Sequence, residues 1–128
     1  MAADEVSRND KNARALASAW IDSWNRHDLG SIMAHYSDDV VFEANTVVAR
    51  WNRPDGLLKG AAELREHFRR GLELAPSLRF ELETVFTAPS GYAALYRRDN
   101  GNRVLDVVEL DDRNKAIRVK AFYLEAQA

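Results

Sequence analysis

The spacing of apolar residues along the chain changes near Pro76, from three or four positions to two. A spacing of three or four places side chains on one face of a helix, whereas a spacing of two places them on one face of a strand. The first part of the chain is therefore predicted to be mainly helical, and the second part a sheet. The helical pattern is clearest over about residues 10–27, at Ala13, Leu16, Ala17, Trp20 and Trp24.

Two further helices and an early strand are predicted before Pro76. A short second helix follows Asp28, a residue type that caps helix N-termini, and carries Tyr36 on its inner side. A third helix runs over about residues 61–74 and is stopped by Pro76. Residues 38–51 alternate and are rich in β-branched side chains, which predicts a long strand or a strand pair.

Four strands are predicted after Pro76, because apolar and polar residues alternate over about residues 78–86, 92–98, 103–110 and 117–123. The turn-forming sequences APSG, DNGN and DDRNK separate these strands. Short turns join antiparallel strands, so the expected fold class is α+β, with helices covering the apolar face of the sheet. A twisted sheet crossed by a long helix encloses a concave pocket.

Composition narrows the class of protein. The chain has 128 residues, of which 46% are hydrophobic and 30% charged, and its net charge is −2. We expect one domain over residues 1–128, in which residues 1–9 form a flexible segment. The balanced charge favours neither a nucleic-acid partner nor a membrane surface. No signal sequence or membrane-spanning stretch is apparent, which predicts a cytoplasmic protein.

Metal and thiol chemistry are not expected. The sequence contains no cysteine, which excludes disulfides and thiolate ligands. Its three histidines, His27, His35 and His67, are not spaced as pairs of metal ligands. We therefore predict neither a metal site nor a cofactor.

The most informative residue is Asp106, a carboxylate in an apolar strand face. The residues that share this face are Val104, Val108 and Leu110. A carboxyl group in an apolar cavity has a raised pKa and can act as a general acid, a general base or a hydrogen-bond donor. The alternative is a structural acid whose oxygens accept hydrogen bonds from the Trp20 N–H, the Tyr123 O–H or an arginine.

Three stretches of the sequence carry a family pattern: SAWIDSWNRHDLGSIMAHYSDDVVFE, LKGAAELREHF and VLDVVELDDRNKAIRVKAFY. They resemble the nuclear transport factor 2-like superfamily, in particular its SnoaL-like and ketosteroid-isomerase-like branches, over about residues 13–124. The resemblance implies a cone-shaped α+β barrel, in which a strongly curved, mostly antiparallel sheet wraps around three helices. Members are usually dimeric and include isomerases, polyketide cyclases, dehydratases, epoxide hydrolases and proteins without a known activity.

The resemblance also implies roles for single positions. The steroid-isomerase pattern has a pocket tyrosine, a basic aspartate and a protonated aspartate, which by register fall on Trp20, Ala44 and Asp106. Alanine cannot take a proton, and an indole N–H donates but does not accept, so steroid isomerisation by that mechanism is not expected. The Asp–Arg–Asp spacing of the epoxide-hydrolase pattern is not reproduced.

We therefore predict Asp106 as the catalytic residue of a cofactor-independent isomerase, cyclase, hydratase or hydrolase. Its substrate would be a small apolar organic molecule. The alternative is a non-catalytic module of the same fold, which binds a small ligand or serves as a dimeric scaffold. The side chains expected to contact the ligand are Trp20, Trp24, Phe42, Ala44, His67, Phe68, Val108 and Tyr123.

Two groups of arginines lie near predicted loops. Arg97 and Arg98 precede a hairpin tip, where charged side chains are mostly solvated. Arg50 and Arg53 flank Trp51 before the third helix and are expected at the pocket mouth, where an arginine favours a carboxylate or phenolate ligand.

A homodimer through the outer face of the sheet is also expected. The apolar residues predicted on this face are Leu105, Val107, Phe122 and Leu124. Such a surface needs a cover, and a partner related by a two-fold axis is the common one.

Overall fold

The computed structural model describes the backbone of residues 2–125 and the side chains of residues 12–125. The elements in chain order are α1 (Ala2–Asn25), α2 (Leu29–Met33), β1 (Tyr36–Glu43), α3 (Asn45–Trp51), β2 (Leu57–Lys59), α4 (Ala61–Leu74), β3 (Phe80–Ala88), β4 (Gly91–Arg98), β5 (Arg103–Leu110) and β6 (Ala116–Tyr123). The flexible segment predicted over residues 1–9 lies outside the residues whose side chains are described and stays a prediction.

The strands form a single curved sheet in the order β2-β1-β6-β5-β4-β3. All neighbouring pairs are antiparallel except β1 and β6, which are parallel. The register shifts within three of the strand pairs, which increases local twist. The predicted α+β class with a strongly curved, mostly antiparallel sheet is confirmed, but the sheet is open, with β2 and β3 at its edges within the described chain, so the cone is not a closed barrel.

The helices cover the concave face of this sheet. Helix α1 packs on β3 and β4, and α4 packs on β1 and β2. Each helix contributes an apolar stripe, such as Leu64 and Phe68 of α4, to a shared core. The largest side chains that are fully buried are Ile32, Leu58, Leu64, Val40, Val47, Val104 and Val119. Burial of each such side chain contributes about 1.5–3 kcal/mol to stability.

The strand predicted over residues 38–51 is wrong in its second half, because residues 45–51 form helix α3. Strand β2 returns at once to pair with residues 41–43, so the chain must reverse within the intervening segment. Gly56 closes this reversal: its φ is +66°, and an added Cβ would lie 3.0 Å from the Ala44 carbonyl oxygen. Full burial of Val47 then outweighs the strand preference of the Thr-Val-Val sequence.

Other predicted boundaries are close to the observed ones. The third predicted helix and the strand at 103–110 have the bounds of α4 and β5. Asp28 caps α2 as expected, with its carboxylate accepting a hydrogen bond from the Ser31 N–H at 3.1 Å. Tyr36 begins β1 instead of ending α2, because it pairs with Ala116 of β6, whose N–H donates to the His35 carbonyl at 2.8 Å. No described helix is long and apolar enough to span a bilayer.

The end of α1 is tied to the start of β3 by one side chain. Asn25 donates from Nδ2 to the Phe80 carbonyl at 3.0 Å and accepts from the Phe80 N–H at 2.7 Å. Both bonds replace the ladder partners that Phe80 would find in another strand. This contact fixes where the helix crosses the sheet, and so the depth of the hollow between them.

We expect Asn25→Ala to lower the free energy of unfolding by about 1–3 kcal/mol, because it leaves two backbone groups of Phe80 without partners. Urea denaturation followed by circular dichroism measures this loss. Asn12→Ala, an exposed change on the same helix, is the matched control and should leave stability nearly unchanged. Equal midpoints for the two variants would contradict the assignment.

Candidate functional site

Asp106 lies in the middle of β5, on the concave face of the sheet. Its neighbours across the ladder are Ala94 of β4 and Ala121 of β6, the smallest side chains that have a Cβ. These two alanines leave space around the carboxyl group, whereas Val104 and Val108 fill the same face above and below it. The predicted strand face is therefore confirmed, and the register explains why a cavity forms at this residue.

The Asp106 carboxyl group is enclosed, with 5% of the residue exposed. The Tyr96 hydroxyl donates a hydrogen bond to its Oδ1 at 3.1 Å. Burial raises the pKa of Asp106 to about 7, and the bond from Tyr96 opposes this only in part. The side chain thus exchanges its proton near neutral pH, which is the property that a general acid or base needs.

Two cavities meet at Asp106. The larger has a volume of about 110 Å³, and the smaller, on the opposite side of the carboxyl group, has about 20 Å³. An apolar cavity of about 150 Å³ is enough for a benzene molecule, whereas about 10–15 Å³ holds a single water. The larger cavity therefore has the size of a small organic group and opens to solvent, so that a longer molecule can extend outwards.

Most residues predicted to contact a ligand are brought to the larger cavity. Its walls include Asp106 together with Trp20, Trp24, Phe42, His67, Phe68 and Tyr123. Val108 lines the smaller cavity instead. Ala44 lines neither of the two, because it is buried under the turn that begins α3.

Aromatic rings form the inner wall of the larger cavity. Trp20 stacks on Phe80 with ring centroids 5.8 Å apart, and Trp24 meets Phe68 edge to face at 4.9 Å. The Trp20 N–H donates to the Tyr36 hydroxyl at 2.7 Å and so does not reach Asp106. The partner of Asp106 is Tyr96, and none of the three partners considered from the sequence fills that role in the described hydrogen bonds.

A chain of hydrogen bonds ends at Tyr123 on the cavity rim. The Trp51 N–H donates to His67 Nδ1 at 3.1 Å, so in the neutral ring the proton lies on Nε2, which donates to the Thr46 hydroxyl at 3.1 Å. Burial raises the pKa of Tyr123, and hydrogen bonding from the Thr46 side chain opposes this rise. Burial, with the nearby charges of Arg50 and Arg70, lowers the pKa of His67 to about 4.

This chain sets a direction for the Tyr123 hydroxyl. Because Thr46 has a single hydroxyl proton and receives the proton of His67, it donates its own to Tyr123. The Tyr123 O–H is then free to donate to a ligand in the cavity. Tyr123 is 37% exposed, which places it at the mouth.

Of the two arginines that line the cavity, Arg98 departs from its expected place and Arg50 does not. Arg98 was expected to be solvated, but it follows Tyr96 by two positions on β4, and its side chain lines the cavity with 27% exposure. Because alternate residues of a strand share one face, the spacing of Tyr96 and Arg98 in the sequence indicates that both lie on the cavity side of β4. Arg50 lines the cavity mouth, as expected, although it does so from a helix.

No metal centre is apparent in the part of the chain that the structure describes. No three His, Asp or Glu side chains there lie close enough together to hold an ion. His67, the most buried of the histidines, uses both ring nitrogens in hydrogen bonds to protein groups.

The raised pKa of Asp106 predicts a pH dependence of stability. Its ordinary value is 3.8, so between about pH 4 and pH 7 the folded state binds more protons than the unfolded state. The free energy of unfolding therefore decreases as pH rises through this window, by up to about 4 kcal/mol from this group. His67, whose pKa is lowered, acts with the opposite sign below pH 6.5.

A comparison with Asp106→Asn isolates the effect, because His67 contributes equally to both proteins. The asparagine still accepts from Tyr96 and carries no charge, so its stability relative to the wild type should increase from pH 5 to pH 8. Urea denaturation at both pH values measures the difference. Asp112→Asn, in an exposed turn, is the control. A variant that parallels the wild type at both pH values would contradict the raised pKa.

Comparison with known proteins agrees with this architecture. Residues 17–122 match the family described as the SnoaL-like domain. No protein with a curated description matches the sequence. A SnoaL-like protein of unknown function from Burkholderia thailandensis superposes with a TM-score of 0.85 at 28% identity, over 88% of this chain and 94% of that one.

Two more distant structures share the fold alone. A protein of unknown function with a cystatin-like fold from Methylobium petroleophilum has a TM-score of 0.70 at 19% identity, over 93% of this chain and 80% of that one. A nuclear transport factor 2-like protein of unknown function from Cytophaga hutchinsonii has a TM-score of 0.66 at 10% identity, over 87% of this chain and 88% of that one. With a family match that spans most of the chain, and a fold shared with these solved structures, the protein belongs to the SnoaL-like domain family.

Proposed function

We propose that the protein binds a small organic molecule in the larger cavity and transforms it without a cofactor, with Asp106 as the acid or base. The observation that carries this proposal is a buried carboxyl group, with a pKa of about 7, on the wall of a cavity that opens to solvent. Such a group is the usual signature of proton-transfer chemistry in a site that excludes water.

The reaction classes that fit are isomerisation, cyclisation, and hydration or hydrolysis. Each of these needs a proton to be moved to or from carbon or oxygen, and none needs an electron acceptor. Asp106 supplies the proton transfer from the inner end of the cavity. Trp20 presents its ring to the apolar part of the ligand, and the Tyr123 O–H donates to a ligand oxygen at the mouth.

Ligand binding without turnover is the competing function. It is favoured by Ala44, which occupies the position of the basic aspartate in the steroid-isomerase pattern and is buried away from both cavities at Asp106. With one carboxylate at the cavity instead of two, a reaction that needs separate acid and base groups is not supported. The site does support a reaction in which one group moves a single proton from one atom of the substrate to another.

Asp106→Asn separates the two functions. A thermal-shift screen of polycyclic ketones, epoxides and aromatic acids first identifies compounds that raise the melting temperature, and each is then tested for conversion. For a compound that is converted, we expect Asp106→Asn to lower kcat by about 10²–10⁴ while the variant still folds and binds. Asp112→Asn is the control, and we expect it to keep full activity. Unchanged turnover by Asp106→Asn would contradict a catalytic role.

We also propose that a second copy of the chain covers the outer face of the sheet. Three strands of the sheet expose large apolar side chains there: Phe86 of β3 at 57%, Val107 of β5 at 41% and Phe122 of β6 at 52%. Ion pairs between strands border this surface, Glu83 with Arg103 and Glu109 with Arg118, both at 3.3 Å. An apolar centre with a charged border is typical of an interface.

The cytoplasmic location expected from the sequence stays a prediction.

Light scattering after size-exclusion chromatography tests the dimer. At micromolar concentration we expect twice the mass of one chain, and we expect Phe122→Ser to produce the monomer. Leu74→Ser is the matched control, since Leu74 is 70% exposed but lies on α4, away from this face. A wild-type protein that elutes as a monomer, or a Phe122→Ser variant that remains dimeric, would contradict the proposal.

A further inference from the structure

Two side chains that line the larger cavity carry buried hydrogen-bond donors without acceptors. Within residues 12–125, two buried side-chain nitrogens have no hydrogen-bond partner in the protein, Trp24 Nε1 and Arg98 Nε. Both belong to residues that line this same cavity. A buried N–H group without an acceptor costs about 1–3 kcal/mol, so the fold carries this cost at one place.

The positive charge at the mouth is also poorly compensated. Arg98 has its nearest carboxylate at 3.7 Å, on Asp99, and Arg50 has no ion pair with any side chain that the structure describes. On the opposite face of β4, in contrast, Arg97 is bound to Glu81 at 2.8 Å. Burial, together with the charge of Arg98, lowers the pKa of Arg50, while Tyr123 acts in the opposite direction. Both arginines line the same cavity.

The backbone makes room for Arg50. Gly71 lies in the interior of α4, where glycine costs about 1 kcal/mol relative to alanine. A Cβ at this position would lie 3.2 Å from Nη1 of Arg50, closer than an unstrained contact. The absence of a side chain at Gly71 thus lets the guanidinium group of Arg50 lie against α4 without displacement.

Acceptors are scarce in the same cavity. Its polar and charged lining side chains, apart from the two tryptophans, are Thr46, Arg50, His67, Tyr96, Arg98, Asp106 and Tyr123. The single carboxylate among them, Asp106, already accepts from Tyr96, and the Thr46 and His67 groups are used in the chain to Tyr123. Since no described ion pair joins Asp106 to Arg50 or Arg98, the arginines at the mouth have no carboxylate partner among these lining side chains.

We propose that the ligand is an organic carboxylate, whose charged group binds between Arg50 and Arg98 at the mouth while its apolar body lies against Trp20 and Trp24. This rests on the proposed function, since it specifies the molecule that the cavity takes. It makes the small apolar ligand expected from the sequence more specific, because the molecule has an apolar body and, as expected for an arginine at the mouth, an anionic end. The paired N–H groups of a guanidinium match a planar carboxylate better than the ammonium group of a lysine does.

The test uses matched acids and amides, which have the same shape and differ in charge. The pairs are 3-phenylpropionate with 3-phenylpropanamide and 2-naphthoate with 2-naphthamide. Dissociation constants come from NMR titration of the ¹⁵N-labelled full chain at constant pH and ionic strength. We expect each acid to bind about tenfold more tightly than its amide, the size of one charge-assisted hydrogen bond. Acetate, which lacks the apolar body, should bind more weakly than either acid.

Two variants and one control assign the effect to the mouth. Arg50→Gln and Arg98→Gln should each reduce the preference for the acid over its amide to about twofold or less. Arg97→Gln removes an arginine from the outer face of the same strand and should keep the full preference. The proposal is overturned if the amides bind as tightly as the acids, if acetate binds as tightly as the acids, or if the preference persists in both variants.

These outcomes are distinct from a failure of the proposed function. If the amides bind in the cavity as tightly as the acids, only the proposal of a carboxylate ligand is contradicted, and the proposed function is not. If neither member of either pair binds, and no compound of the thermal-shift screen does, the cavity is not a ligand site and both proposals fall together.

Discussion

The burial of one carboxyl group on an apolar sheet face is the constraint on which the rest of this structure depends. A charged carboxylate is costly in such a place, and the fold meets the cost in two ways. The Tyr96 hydroxyl donates to Asp106, and the group takes up a proton near pH 7. The alanines on both sides, Ala94 and Ala121, keep the space in front of the carboxyl group open. A larger residue at either position would fill the cavity, and the buried carboxyl group would then have no space beside it for a ligand.

The helices complete this arrangement by roofing the concave face. Asn25 fixes the end of α1 on the first residue of β3, which holds the tryptophan rings over the cavity. Helix α3, on the other side, supplies Thr46 and Arg50 to the mouth. The cavity is therefore acidic at its inner end and basic at its entrance, with aromatic walls between. A molecule with an apolar body and a negatively charged end matches this order of environments.

Local sequence pattern was enough to predict the elements whose period is unbroken. The alternation at Val104, Asp106 and Val108 predicted both the strand and the face of the acid, and the helix over residues 61–74 was equally clear. Residues 45–51 were misjudged because their β-branched side chains favour a strand locally, while the return of β2 demands a reversal. That demand comes from tertiary pairing and is absent from a short window of sequence.

The partners of the site residues depend on strand register, which local pattern does not contain. Tyr96 reaches Asp106 because the β4–β5 hairpin pairs Ala94 with Asp106, two residues from the tyrosine. A shift by one residue would turn Tyr96 outwards and bring Arg97 in. The same register brings Arg98 into the cavity, against its expected place in solvent. Chemistry-bearing residues were thus recognised from the sequence, but their pairing needed the fold.

The most direct test of this account is a ¹³C NMR titration of the aspartate carboxyl resonances of the intact protein, with Asp106 assigned by comparison with Asp106→Asn. The account predicts a resonance that disappears in the variant and that titrates with a midpoint close to pH 7. A midpoint close to the ordinary value of 3.8 would show that the carboxyl group is well hydrated, and would contradict the buried acid on which the proposed chemistry rests.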